Sequence, residues 1–259
     1  MLIHIMFASR MTFVGIDPTA GQRPMTYAAL DDDLRLLALG KGDLNEVLAF
    51  AGGLSQAVVA VSAPQRPNQG VMDRPEVREQ LSPPPRPGRW RTFRMAEYQL
   101  RQHRISCPRT AASEKDCPVW MQMGFALYRR LEGQGFQAYP EKTDLQWLEV
   151  YPYASFCVLL GRAPFPKISL EGRIQRQLIL YEEGLRIPDP LHIFDEITRH
   201  NLLLGRLPLD ELYSTDALDA LVAAYSAWLA ATHPEGVTLL GDPQEGQLVL
   251  PVAELKNSY

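Results

Sequence analysis

Cysteine and histidine are scarce in this sequence, and their spacing suits neither a disulfide framework nor a zinc site. The three cysteines are an odd number, and none belongs to a Cys-x-x-Cys pair. His103 lies near Cys107 and Cys117, but no second histidine accompanies it at metal-ligand spacing. We therefore expect free thiols and a reducing, cytoplasmic location rather than a disulfide-bonded secreted module or a zinc ribbon.

Long apolar runs and an excess of positive charge are also absent. No segment approaches the roughly 18 consecutive apolar residues that a membrane-spanning helix needs, so we expect no membrane association. The formal net charge is -4, which argues against a protein that coats nucleic acid through bulk electrostatics. Any contact with nucleic acid is therefore expected to be local.

The chain nevertheless has enough apolar content for a sizeable core. Its 259 residues, 46% of them apolar, correspond to one large domain. We assign this domain to residues 11–259, because the first β-rich segment starts directly after Met11. Residues 1–10 are treated as an upstream extension without predicted structure.

The first part of the domain predicts a β-β-β-α-β arrangement. Three β-rich segments at residues 12–17, 25–30 and 34–40 follow one another across short turns, as in an antiparallel meander. A short helix begins after Asp43, a suitable N-cap residue. The apolar run AVVAVSAP, residues 57–64, is typical of a strand buried on both faces. The helical crossover before it predicts that this strand lies parallel to the first.

The second part contains longer helices and an irregular segment. Residues 65–118 are rich in Pro and Arg and are predicted to be an insertion that contains one helix. The remaining pattern predicts helices over 118–135, over 168–204 in two pieces and over 216–231, and strands over 136–140, 145–152 and 237–241. The chain therefore predicts an α/β fold: a mixed sheet flanked by helices, with an Arg/Pro-rich insertion and a helical C-terminal segment.

Oxygen-bearing side chains occur at places that such a sheet brings together. Asp17 and Ser62 each follow a predicted strand, and the carboxyl ends of neighbouring parallel strands line one crevice. Asp216 and Asp219 lie three residues apart at the start of the last long helix, beside an alanine-rich surface. If this helix packs across the crevice, its carboxylates meet Asp17 in a site suited to Mg²⁺ or Mn²⁺. The residues alone leave open a simpler interpretation, in which Asp17 starts a turn and the helix acids complement the helix dipole.

Two basic segments are candidate contacts for phosphate. Lys167, Arg173 and Arg176 occur in KISLEGRIQR, where the two arginines lie three residues apart on a predicted helix. Residues 86–109 combine seven arginines with three aromatic residues and one acid, a composition that suits nucleic acid or nucleotide binding, with Arg91 and Arg94 as candidates. The alternatives are a solvated helix face for the first segment and a Pro-rich loop with a basic helix for the second.

Several motifs, in their order along the chain, resemble the domain-of-unknown-function 429 family. They are GIDPTAG, VVAVSAP, WLEVYPYASFCVLLG, FPKISLEGRIQR, TDALDALVAAYSA and GDPQEGQLVLPV. The resemblance runs from about Met11 to Val252 and implies a ribonuclease-H-like fold and nuclease activity. It also implies acidic residues on the first strand, on a later strand and on the C-terminal helix. These correspond here to Asp17, Glu149 and Asp219, with Asp216 as an accessory.

The function implied by this resemblance is divalent-metal-dependent hydrolysis of phosphodiester bonds in nucleic acid, with Mg²⁺ or Mn²⁺ as cofactor. In one respect the sequence departs from the family, whose fourth strand usually ends in Asp-Ala-Pro where this chain has Ser62-Ala63-Pro64. A hydroxyl is a poorer ligand than a carboxylate and carries no charge, so a two-metal site would lack one acid.

Two other classes of function remain open at the level of sequence. One is a non-catalytic module that keeps the fold and holds a nucleotide or another phosphorylated ligand through its arginines and Ser62. The other is an actin-like kinase, because GIDPTAG is similar to an Asp-Gly phosphate loop. The chain has no later glycine-rich nucleotide motif that would support the kinase.

Overall fold

The computed structural model describes residues 11–19, 23–85 and 90–259. The predicted extension at residues 1–10 and the beginning of the Arg-rich segment at residues 86–89 lie outside the described residues.

A mixed β-sheet forms the centre of the fold. Its strands, within the described residues, are β1 (Thr12–Asp17), β2 (Met25–Leu30), β3 (Leu36–Gly42), β4 (Ala57–Val61), β5 (Gln137–Ala138), β6 (Leu145–Glu149), β7 (Thr238–Asp242) and β8 (Gly246–Leu250). The strand order is β3-β2-β1-β4-β6-β8-β7, and β5 pairs with β6. The first three strands are antiparallel, while β1, β4 and β6 are parallel neighbours. The predicted meander and the predicted parallel fourth strand are both confirmed.

Helices cover both faces of this sheet. In the described part of the chain they are α1 (Leu44–Gly52), α2 (Pro75–Glu79), α3 (Met95–Gln102), α4 (Val119–Gly133), α5 (Pro152–Leu160), α6 (Leu170–Glu182), α7 (His192–Glu196), α8 (Arg199–Leu203) and α9 (Thr215–Thr232). The α/β fold predicted from the sequence is confirmed, and its strand order and helix placement are consistent with a ribonuclease-H-like arrangement. Among the described residues, no helix is both long and apolar enough to cross a membrane.

The structure differs from the prediction after the sixth strand. The segment predicted as a strand to residue 152 ends at Glu149, and Pro152 then begins helix α5 at the position where proline suits a first helical turn. Most residues of α5 are buried, so its sequence is apolar on nearly all sides and shows no helical periodicity. The second of the two helical pieces predicted over 168–204 consists of the two short helices α7 and α8.

Alternation of side chains along the strands separates the core into two layers. Phe13 of β1 packs in the layer that contains α9, whereas its neighbour Val14 packs in the opposite layer with residues of α1 and α4. Val58 and Val59 of β4 divide in the same way. Since both faces are covered, β1 and β4 are almost wholly apolar up to their carboxyl ends.

Helix α9 lies unusually close to β1. A Cβ atom on Gly15 would overlap the carbonyl oxygen of Ala220 and the amide nitrogen of Ala224. The helix presents alanines at this contact, and Ala220, Ala223 and Ala224 are all fully buried. Glycine on the strand and alanine on the helix therefore set how closely α9 approaches the sheet.

We expect Gly15→Ala to destabilise the protein by about 3 kcal/mol, because the new methyl group meets helix backbone that cannot move away cheaply. Gly133→Ala is the matched control, since a Cβ there meets no described atom within 4 Å, and its effect should stay within about 1 kcal/mol. Urea unfolding followed by circular dichroism measures both. Equal stability of the two variants would show that the close approach of α9 to β1 is not required.

Candidate functional site

A cleft of about 560 Å³ opens at the carboxyl ends of β1 and β4. Its lining combines acids, cations, a serine and aromatic rings. The described residues that line it are Asp17, Pro18, Thr19, Arg23, Ser62, Trp120, Tyr151, Pro152, Tyr153, Lys167, Arg176, Asp216 and Asp219. The structure therefore brings together six of the side chains that sequence analysis singled out.

Asp17 and Asp219 meet because strand and helix geometry both direct them to this cleft. Along β1, Asp17 is two residues beyond Gly15 and shares the face on which α9 packs. Helix α9 begins at the N-cap Ser214, whose Oγ accepts a hydrogen bond from the Ala217 amide at 3.2 Å. This start places Asp216 and Asp219 in the first turns of α9, at the end of the sheet where Asp17 lies.

Lys167 is the cation that contacts the acids of the helix. Its Nζ donates a hydrogen bond to Asp219 Oδ2 and lies 4.0 Å from Asp216 Oδ1. Lys167 is held there by the turn that enters α6, where Ser169 caps the helix. A Cβ on Gly172 would overlap the carbonyl oxygen of Pro166, so glycine allows the turn to fold back onto α6.

Burial and neighbouring charges shift the pKa values of the acids in the cleft. Burial raises the pKa of Asp17 well above its ordinary value, and the charge of Asp219 raises it further while Lys167 lowers it in part. Burial also raises the pKa of Asp219, against the opposing effect of Lys167. Burial disfavours the charged ammonium of Lys167, but its contact with Asp219 raises the pKa overall. One lysine thus compensates the clustered acids only partly.

Ser62 adds an unpaired polar atom to the wall of the cleft. Its amide donates to the carbonyl of Ile16 at 2.8 Å, which ties the end of β4 to β1. The side chain is 6% exposed, and its Oγ has no hydrogen-bond partner among the described residues. Because a buried hydroxyl is costly when unpaired, this atom is suited to a ligand or water in the cleft.

The two arginines of α6 differ in their roles. Arg176 lines the cleft, but its Nη1 already donates to the carbonyls of Phe165 and Gly172, both at 2.9 Å. Burial lowers its pKa. Arg173 instead donates to the carbonyls of Tyr213 and Leu212 at 2.9 and 2.7 Å, so it anchors the segment before α9 rather than facing the cleft.

Glu149 does not join the acids of the cleft, although the resemblance assigned it to the same metal site. It pairs in register with Val61 of β4, and Val61 pairs with Ile16 of β1. Ile16 and Asp17 are neighbours along a strand, so their side chains point to opposite faces of the sheet. Strand register therefore directs Glu149 away from Asp17.

On that other face Glu149 forms a buried ion pair with Arg94. The two Nη atoms of Arg94 donate to the two carboxylate oxygens at 2.7 and 2.8 Å, and Nη2 also donates to the Glu245 carbonyl at 2.9 Å. Arg94 is 1% exposed and Glu149 is 4% exposed. Arg94 is thus a structural link between the Arg-rich segment and the sheet, not a residue available to a phosphate.

The other described residues of the Arg-rich segment also lie outside the cleft. Arg91 is exposed and pairs with Asp73 at 3.4 Å. Two of the three rings expected to stack on bases are covered by the protein's own arginines: the guanidinium of Arg78 lies 4.1 Å from the centre of Trp90, and that of Arg101 lies 4.6 Å from the centre of Phe93. Internal cation–π contacts therefore account for part of the composition of this segment.

Asp17 and Asp219 are acids of the cleft that could serve as ligands for one divalent cation. Within the described ranges, no three Asp, Glu, His or Cys side chains form a group that could hold a metal ion. Mg²⁺, however, commonly takes only one or two carboxylates from a protein and completes its shell with water and substrate phosphate. Asp17 and Asp219 supply two carboxylates to the cleft, which Ser62 also lines.

Sequence reasoning did not single out seven of the residues that line the cleft, and four of these seven have cationic or aromatic side chains. Arg23 lies two residues before β2, Trp120 in the first turn of α4, and Tyr151 and Tyr153 at the start of α5. Tyr151 and Tyr153 follow directly after the strand that ends at Glu149, so their place at a carboxyl strand end was a usable signal. The positions of Arg23 and Trp120 depend on packing between distant segments.

A protein-family model matches most of the chain. The family model described as "Protein of unknown function (DUF429)" matches residues 15–245. The chain belongs to the DUF429 family. Searches of the curated proteins and of the solved structures returned no match. The DUF429 match includes every described residue that lines the cleft, and it extends over the partners of the buried Arg94–Glu149 pair.

We expect Glu149→Gln to destabilise this DUF429 protein by about 3 kcal/mol, because it leaves the buried charge of Arg94 uncompensated. Glu114→Gln is the matched control: it removes one partner of the exposed Arg129–Glu114 pair, for which a loss below about 1 kcal/mol is expected. Urea denaturation of both variants measures the difference. Similar small losses would mean that the Arg94–Glu149 pair is not the structural link described above.

A second prediction concerns Glu97, which accepts hydrogen bonds from the Arg94 amide and from the amide and hydroxyl of Thr110. Burial raises its pKa from 4.5 to about 7. Between these values the folded protein holds a proton that the unfolded chain has released, so stability falls as the pH rises through this window. Unfolding free energies at about pH 5 and about pH 8 should therefore differ more in the wild type than in Glu97→Gln, by up to about 3 kcal/mol. An identical pH dependence would remove Glu97 as its source, since Asp17 and Asp219 contribute equally to both proteins.

Proposed function

We propose that this DUF429 protein is a divalent-metal-dependent hydrolase of phosphodiester bonds in nucleic acid. The observation that carries the proposal is the convergence of Asp17 and Asp219 from β1 and α9 in one cleft, where burial raises the pKa of both carboxylates and the charge of Asp216 adds to the effect. Burial disfavours the charged forms of these two carboxylates, and the cation in direct contact with Asp219 is Lys167. A further cation bound in the cleft would stabilise the charged forms.

Asp17 and Asp219 are the residues that would hold Mg²⁺ or Mn²⁺, with the Ser62 hydroxyl beside them and Asp216 nearer the opening. When bound, such an ion supplies Lewis acidity that polarises a phosphoryl oxygen and offsets the charge that develops on it. Glu149 has no part in this proposal, because its carboxylate is paired with Arg94 on the other face of the sheet.

The cations of the cleft would bind the phosphate group. Lys167 is 42% exposed at its side chain, so its ammonium can share its donors between Asp219 and an anion that enters the cleft. Arg23 is exposed at the opening and contributes positive charge there. Arg176 already donates to two backbone carbonyls, and it acts chiefly by limiting the negative potential around Asp219.

A non-catalytic module that binds a phosphorylated ligand is the second candidate. It is favoured by Lys167, which already contacts Asp219 where a metal ion would bind, and by the serine at position 62. In this alternative the acids orient Lys167, and Lys167 with Arg23 holds the phosphate.

Titration calorimetry with Mn²⁺ tests the first candidate without any assumption about the substrate. Wild type should bind Mn²⁺ saturably, and Asp17→Asn should bind at least about tenfold more weakly, because it removes one of two anionic ligands. Asp195→Asn is the matched control, an exposed aspartate of α7 that does not line the cleft. Equal binding by wild type and Asp17→Asn would remove Asp17 from any metal site.

Lys167→Met distinguishes the two candidates in the same experiment. If the acids hold a metal ion, this variant removes a competing cation and binds Mn²⁺ more tightly than wild type. If the cleft is a phosphate-binding module, wild type binds no Mn²⁺ at millimolar concentration, and Lys167→Met loses the binding of pyrophosphate. The second pattern, together with no cleavage of labelled oligonucleotides in Mn²⁺, would replace the nuclease proposal by the binding module.

A further inference from the structure

One wall of the cleft is aromatic. Trp120, Tyr151 and Tyr153 line it, and all three are partly exposed. They come from the starts of two helices, α4 and α5, and the rings of Tyr151 and Tyr153 lie 6.1 Å apart at 53°. The wall therefore presents flat, polarisable surface to the same space that holds Asp17 and Asp219.

These rings differ from the aromatic residues of the Arg-rich segment. Trp90 and Phe93 are each covered by arginines of the protein itself, and Trp90 is only 7% exposed. Trp120, in contrast, has neither a ring partner nor an overlying guanidinium among the described residues. Of the two aromatic groups, the one in the cleft is the one available to a ligand.

The cleft combines cationic and aromatic surface that one nucleotide unit would use together. Its volume, about 560 Å³, lies within the roughly 300–1,000 Å³ of sites that bury a small organic ligand. Cations at Arg23 and Lys167 suit a phosphate, while the aromatic wall suits the face of a base. A simple phosphate ester without a flat group would leave that wall unused.

We infer that the substrate is a single-stranded nucleic acid, of which one unpaired base stacks on the aromatic wall, foremost on Trp120. This inference rests on the proposed function and specifies its substrate class. In a duplex the bases are stacked on one another and present only their edges, so rings inside a cleft cannot reach their faces. An unpaired base offers its face freely, and stacking of this kind tolerates any sequence.

Fluorescence anisotropy with labelled oligonucleotides tests the inference. The oligonucleotides are about twelve residues long, which is in the range of single-strand binding sites. Measurements are made with EDTA, so that hydrolysis plays no part. We expect oligothymidylate or oligouridylate to bind roughly tenfold more tightly than the same strand in a duplex. An abasic strand of equal length, which keeps the phosphates but lacks the bases, should bind as weakly as the duplex. The thymidylate and uridylate arms show whether DNA or RNA is preferred.

Variants of the wall identify the ring that stacks. Trp120→Leu keeps an apolar side chain but removes the ring, and it should lower affinity for the single strand by roughly tenfold while leaving the abasic strand unaffected. Trp120→Phe should retain most of the affinity. Tyr181→Leu, which removes a ring on α6 that is 40% exposed and outside the cleft, is the matched control. Should Trp120→Leu fail to fold by circular dichroism, Tyr153→Leu provides the same comparison.

Equal affinity for duplex and single strand, or for abasic and intact strands, would overturn the inference, as would unchanged binding by a folded ring-deletion variant. Its failure is distinguishable from failure of the proposed function. Selective binding of single strands without cleavage in Mn²⁺ would refute the nuclease and keep the base-stacking wall. Cleavage of duplex and single strand at equal rates would keep the nuclease and refute the inference.

Discussion

The close contact between helix α9 and strand β1 is the constraint on which the candidate site depends. Gly15 leaves no side chain between the two backbones, and the alanines of α9 complete the fit. A larger residue at this contact would lift the helix and draw Asp219 away from Asp17. The buried apolar layer and the acidic cleft therefore depend on the same packing of α9 against β1. Mutations that loosen this packing would lower the stability of the fold and also displace the acids of the cleft.

Strand register gives the two faces of the sheet different chemical environments. Asp17 and Ser62 face the layer of α9 and open into the cleft, whereas Glu149 faces the other layer and is neutralised by Arg94. A shift of one residue in register would exchange these roles, because neighbouring side chains point to opposite faces. The buried ion pair also fastens the Arg-rich segment to the sheet, so this insertion takes part in the core of the C-terminal hairpin through residues such as Leu100 and Ile105.

The cleft carries charges of both signs. Asp219 is buried at a cost that Lys167 offsets only in part, whereas Lys167 and Arg23 are exposed. Such an arrangement does little for stability, and it supports the proposal that the cleft binds a ligand. The aromatic wall adds surface for a flat group next to these charges.

The fold class, the order of most elements and the acids that line the cleft could all be predicted from the amino-acid pattern. Asp17 was recognisable because it ends an apolar strand, and Asp219 because it lies near the start of a capped helix with small residues beside it. The pairing of Glu149 with Arg94 away from the cleft, the helical conformation of α5, and the positions of Trp120 and Arg23 became evident only from the folded chain. Local patterns reflect the period and caps of single elements, whereas strand register and the packing of distant segments depend on contacts that no short stretch contains.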